Sequence, residues 1–147
     1  MSPSIRTQLG MLVIATSLVQ LANGFFGTFV SLRVAIESFD VPSLVLSAYF
    51  VGFPIGALRC SRIIERIGHI RAYAAFAGLV AAVVAMMPLL IGSLAWVILP
   101  AIVGFGCARI FVTTESWLTA KALPSERGRV FSIYMVGTFL ALAVASF

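Results

Sequence analysis

"LRCSRIIERIGHIRAYAAF", residues 58–76, carries Arg59, Arg62, Arg66 and Arg71, four of the ten basic residues of the chain. On either side charge vanishes: residues 41–58 and 72–108 contain no Asp, Glu, Lys or Arg. A short basic link between two long uncharged runs is the pattern of two membrane spans joined at one face of a bilayer. The whole composition agrees. Of 147 residues, 61% are hydrophobic and 10% are charged, with a mean hydropathy of +1.11. A soluble domain of this size needs a polar skin that so few charges cannot supply. The apolar content equally excludes a disordered chain. The net charge of +5 lies between apolar runs rather than along a solvated face, so it speaks for membrane edges and against nucleic acid as a partner. The lipid bilayer is the expected surrounding.

A helix crosses about 30 Å of hydrocarbon in about 20 residues. Residues 7–32 and 130–147 are two further uncharged runs. Residues 72–108 would reach about 55 Å as one helix, nearly two bilayers, and the turn-forming pair Gly92-Ser93 breaks them. The expected architecture is therefore all-α: a polytopic bundle of about five transmembrane helices, over about 9–32, 43–61, 72–91, 94–118 and 130–147. The first run exceeds the usual apolar core of a signal peptide, about 7–15 residues, and is read as a retained span.

The basic residues choose the orientation. With the N-terminus in the cytoplasm, that side holds Arg6, Arg59, Arg62, Arg66, Arg71, Lys121, Arg127 and Arg129. The outer side holds Arg33, beside Glu37 and Asp40, and Arg109 falls inside the fourth span. The positive-inside rule thus predicts a multi-pass protein of the cytoplasmic membrane with a cytoplasmic N-terminus.

Topology explains the basic residues but not the rest of the link. Glu65-Arg66-Ile67-Gly68-His69-Ile70-Arg71 resembles the signature loop between the second and third helices of the major facilitator superfamily: Gly, three residues, Asp, a basic residue, any residue, Gly and a basic pair. Glu65 stands at the Asp position, Arg66 and Gly68 match, and Arg71 matches the last basic position. Ser61 and Ile70 depart from the pattern. "PSERGRVFSIYMVG", residues 124–137, resembles the loop into that family's fifth helix. "NGFFGTFVSLR", residues 23–33, and "ESWL", residues 115–118, resemble a bacterial branch of mostly uncharacterised members. The resemblance runs from about residue 12 to the end of the chain. It implies the N-terminal helix bundle of a longer transporter, whose C-terminal helices are a missing partner. It also implies a cytoplasmic gate formed by Glu65, Arg66, Gly68 and Arg71, with Glu126 as an acidic partner for Arg66 or Arg71.

Polar groups at membrane depth mark candidate sites. Thr16, Gln20, Asn23, Gly27 and Ser31 share one face of the first span. Lipid cannot satisfy such groups, so this face lines either a cavity or a helix contact. Gln20 and Asn23, near mid-span, are substrate-cavity candidates. In the fourth span, Arg109 shares a face with Thr113 and Ser116, and both Arg109 and Thr113 are further cavity candidates. A charge at that depth costs about 2.5–3.5 kcal/mol on insertion scales, so it has a partner or a role; Arg109 suits an anionic group, with a buried ion pair as the competing reading. Glu115 lies about 120° round the helix from Arg109. It is a structural group or, alternatively, a carrier of ion coupling.

Gly52 and Gly56, around Pro54, allow a close helix contact and a bend in the second span. Cys60 and Cys107 have no metal-binding spacing and read as reduced packing residues. No cofactor or metal is called for. An enzyme is not expected, because His69 stands alone and no paired carboxylates or nucleophile–base pair occur at helical spacing. The expected function is secondary active transport of a small solute by alternating access, with a proton or sodium as coupling ion. The alternative is a small self-associating five-helix membrane protein, a channel or assembly factor, joined through its glycine faces.

Overall fold

The computed structural model describes residues 3–37, 42–58 and 60–147; Arg59 of the basic link and Asp40 of the outer link lie outside them. The described residues form six helices and no strand: α1 (Pro3–Glu37), α2 (Pro42–Ala57), α3 (Cys60–Ile67), α4 (His69–Met86), α5 (Ser93–Lys121) and α6 (Arg127–Ala145). The chain is all-α. Four helices, α1, α4, α5 and α6, are long and apolar enough to cross a membrane. A fifth span results when α2 and α3, bent by 56° at their junction, are taken together.

Helix boundaries differ from the sequence reading, and in three helices a local reason is visible. α1 runs beyond both ends of its apolar stretch, because polar flanks propagate a nucleated helix at little cost. Its last turn carries the i,i+4 pair Arg33–Glu37, at 2.8 Å. The second span, expected to reach residue 61, ends at Ala57. Leu58 N–H makes the last bond of the helix, to the Pro54 carbonyl at 3.2 Å, and α3 starts afresh with Cys60 buried. α4 stops at Met86 rather than 91: Pro88 has no N–H with which to continue the ladder, although Met87 before it still has helical φ and ψ. Met87 N–H caps the last turn on the Val83 and Val84 carbonyls.

The chain divides into two compact units. The first comprises Met1–Phe29 with Thr114–Phe147, the second Val30–Thr113, so α1 and α5 each contribute to both. In the first unit, the Thr16 and Thr114 hydroxyls meet at 3.2 Å, fully buried. α6 approaches α1 closely there: a Cβ on Gly24 would stand 2.5 Å from that of Ala145. Leu118 and Tyr134 complete this core.

In the second unit, α2 and α5 touch backbone to backbone. A Cβ on Gly52 would collide with the Ala101 carbonyl, one on Gly56 with that of Phe105, and one on Gly104 with that of Tyr49. The small residues of α2 thus meet a small residue of α5 in return, and the helix axes can approach as larger side chains would forbid. Cys60 and Ile64 of α3 and Ala72 of α4 form a buried cluster, packed against Phe76 and Val112.

Candidate functional site

Arg109 is the most informative side chain of the second unit. It is 7% exposed, and its guanidinium stays protonated even when buried. Two aromatic rings take up part of that charge. Phe105, one turn earlier on α5, has its centroid 4.5 Å from the guanidinium carbon, and Phe76 of α4 lies at 5.2 Å. Cation–π contact with a desolvated ring is worth about 2 kcal/mol, so two rings offset much of the burial cost. Rings have no lone pairs in the guanidinium plane, however. Nε and Nη1 are buried and meet no hydrogen-bond acceptor among the described residues. The charge is compensated; the directional N–H donors are not.

Thr113 follows one turn later and is fully buried. Its Oγ1 lies 3.9 Å from Cys60 Sγ, which also reaches the Arg109 carbonyl at 3.9 Å. The structure therefore brings Arg109 and Thr113 together on one turn of α5, with α3 clamped to it through Cys60. Cys60 and Cys107 are both buried, and neither forms a disulfide.

Gln20 and Asn23 belong to the first unit. Both are half-buried, and Gln20 Oε1 is buried with no hydrogen-bond partner among the described residues. The polar face of α1 is graded. Thr16 is fully buried against Thr114, while Gly27 and Ser31 are exposed. Glu115, also in the first unit, is half-buried.

The gate candidates are likewise divided between the units. Glu65, Arg66, Gly68 and Arg71 are exposed in the second unit, at the α3–α4 corner. Gly68 turns that corner with φ 82° and ψ 161°, a conformation that a side chain strongly disfavours. The glycine of the motif is thereby explained by backbone geometry alone, since a Cβ there would meet no other atom. Glu126, in the first unit, caps α6 and lines a pocket with Arg6 and Arg129. Its Oε2 is buried without a hydrogen-bond partner among the described residues.

Sequence reasoning missed the partners rather than the polar residues themselves. Phe105 was findable at i−4 from Arg109, a spacing that places side chains side by side on a helix. Phe76 and Thr114 come from other elements and leave no local signal. The clustering of Arg6, Arg129 and Glu126 needs the N-termini of α1 and α6 to converge, which no spacing encodes.

A family model described as Major Facilitator Superfamily matches residues 12–147. Among curated proteins, the uncharacterized MFS-type transporter YcaD of Escherichia coli O9:H4 (strain HS) is 35% identical over 150 residues, covering 97% of this chain and 39% of that protein. YcaD of Escherichia coli O45:K1 (strain S88 / ExPEC) is 36% identical over 135 residues, covering 88% of this chain and 35% of that protein. The chain thus spans well under half the length of these relatives. No solved structure matches it.

Proposed function

Because the chain belongs to the major facilitator superfamily, we propose that it forms the N-terminal bundle of a secondary active transporter that moves a small anionic solute through the cytoplasmic membrane by alternating access. One observation carries the choice of solute class: Arg109 is buried between two rings with Nε and Nη1 unsatisfied. Buried N–H donors left without acceptors cost about 1–3 kcal/mol, more when charged. A carboxylate or phosphate oxygen arriving there removes that cost, which is why binding at this position is favourable. Thr113 sits on the same turn as a further hydroxyl, and within the first unit Gln20 and Asn23 are separate cavity candidates on α1. Glu115 is the candidate for coupling to a proton or sodium.

Glu65, Arg66, Gly68 and Arg71 form the cytoplasmic gate in this reading, with Glu126 as the acidic partner. The α3–α4 corner suits that role. Gly68, with its positive φ, turns the chain from α3 into α4, and the charges on either side of it are exposed. Self-association through glycine faces has less support, because Gly52, Gly56 and Gly104 are already engaged inside the second unit.

The experiment is a thermal-shift panel of small carboxylates and phosphate esters on the full-length transporter. A ligand at 100 times its Kd stabilises by about 2.7 kcal/mol. At least one anion should raise the midpoint of the wild type and not that of Arg109→Ala, with Arg109→Lys intermediate. An Arg109→Ala protein that is stable and responds to the same anions as the wild type refutes the assignment.

A further inference from the structure

Resting on the reading of Arg109 as the anion site, we propose that the solute is a monocarboxylate with an apolar body. Its carboxylate meets the Arg109 guanidinium, and its body lies along a groove between α2 and α5 of the second unit. The groove has a volume of about 490 Å³, within the range of about 300–1,000 Å³ common to small-molecule sites. Val51 and Ile55 of α2 and Ile98, Ile102 and Phe105 of α5 stand in its walls, and Ser47 is the sole polar side chain lining it. Val51, Ile55 and Ile98 are exposed, so the walls are open to a ligand. Phe105 joins this groove to the charge. Ile98, Ile102, Phe105 and Arg109 follow one another at intervals of four, three and four residues, which is a single face of α5. The Phe105 ring is thus a wall of the groove and also the ring whose centroid lies 4.5 Å from the guanidinium carbon. A chain lying in the groove runs toward the charge along that face.

Charge selects the head of the solute. Arg109 is the one buried charged side chain among the described residues. A single carboxylate balances it, whereas a dianion brings a second negative charge with no counterpart. A phosphate monoester, carrying about −1.5 to −2 at neutral pH, is disfavoured on the same ground. The Phe76 and Phe105 rings offer no acceptor, so Nε and Nη1 are left for incoming oxygens, and a carboxylate presents two. The groove selects the body. A polar body would lose its water there and find only Ser47 in return, while an apolar body gains with every methylene it buries. An acyl chain or a helix could also lie in so apolar a groove. The unsatisfied donors at the end of its α5 face are what call for a charged amphiphile instead.

The full-length protein in lipid nanodiscs is titrated calorimetrically with acetate, butanoate, hexanoate and octanoate, and the heat into protein-free nanodiscs is subtracted. Affinity should rise about two- to fourfold with each methylene, the upper figure being that of a fully buried one. Succinate and glycerol phosphate should bind about tenfold more weakly than butanoate. Arg109→Ala should lose binding of every acid. Val51→Ser and Ile98→Ser, which leave Arg109 in place, should each weaken octanoate severalfold and acetate hardly at all. Leu140→Ser, at an exposed position of α6, should change neither. Equal affinity along the series, still dependent on Arg109, overturns the apolar body and leaves the anion reading standing; it is also what an acyl chain or a helix filling the groove would give. Succinate binding as tightly as butanoate, or octanoate binding unchanged in both groove variants, overturns the proposal too. Acids that bind Arg109→Ala as they bind the wild type, or no binding by any acid, sink the anion reading itself and this proposal with it.

Discussion

Thr16 and Thr114 are 98 residues apart in the chain and meet hydroxyl to hydroxyl at 3.2 Å, with neither exposed. The contact joins α1 to the last part of α5 inside the first unit. In an apolar setting its worth lies less in the bond itself than in the cost of breaking half of it. Replacing Thr114 with Val leaves the Thr16 oxygen buried without this partner, at about 1–3 kcal/mol. Thermal unfolding in detergent should show that loss for Thr114→Val. Adding Thr16→Val to it should cost well under the sum of the two single losses, because removing both polar groups leaves nothing of this pair unsatisfied. Strictly additive losses would mean that each hydroxyl is already served by its own helix.

Gly68 should resist substitution for reasons of backbone alone. Its φ of 82° with ψ of 161° lies in a region essentially reserved for glycine and costs another residue about 1–3 kcal/mol, so Gly68→Ala should lower stability by about that amount although nothing crowds the site. Gly78, on α4, is equally uncrowded and has no positive φ, and Gly78→Ala should bring no loss. Indistinguishable melting curves for the two variants would remove the conformational explanation.

The proposed gate makes a prediction in charge. Glu126→Lys should slow transport by the full-length protein, and adding Arg66→Glu or Arg71→Glu should restore part of the rate. A surface ion pair is worth about 0–1 kcal/mol in stability, so the readout is transport, not melting. Losses that simply add in both double variants would leave these arginines with a topological role only.

Orientation is testable without a substrate. With a cytoplasmic N-terminus and α2–α3 taken as one span, a reporter active only in the cytoplasm should work when fused after Arg71 and be silent after Phe147. The reverse result would invert the whole arrangement.

Much of the fold was legible because membrane helices announce themselves by absent charge. The uncharged runs at residues 7–32, 72–108 and 130–147 hold α1, α4 and α5, and α6, and the break at Gly92 was visible as a turn pair. What was not legible was the end of α2. Apolarity continues through Ala57 and Leu58, whereas α2 ends at Ala57 and α3 begins at Cys60, whose burial with Ile64 and Ala72 no local pattern encodes. The site was half legible. A lone arginine at membrane depth is conspicuous in sequence, but the Phe76 ring beside it comes from another helix. Glu126 was read as a gate residue from its loop, whereas its company with Arg6 and Arg129 depends on tertiary convergence.

The seam of α2 and α5 has a mechanical consequence. Side-chain contacts give way by changing rotamer; the carbonyls of Ala101, Phe105 and Tyr49 opposite Gly52, Gly56 and Gly104 have no rotamer to change. Sliding α5 by one turn, about 5.4 Å, would put Pro100 or Ala108 where Gly104 now faces Tyr49, and the added carbon would strike backbone. The two helices are keyed to a single register. In any working cycle this pair must travel as one rod, and whatever bends must lie outside it.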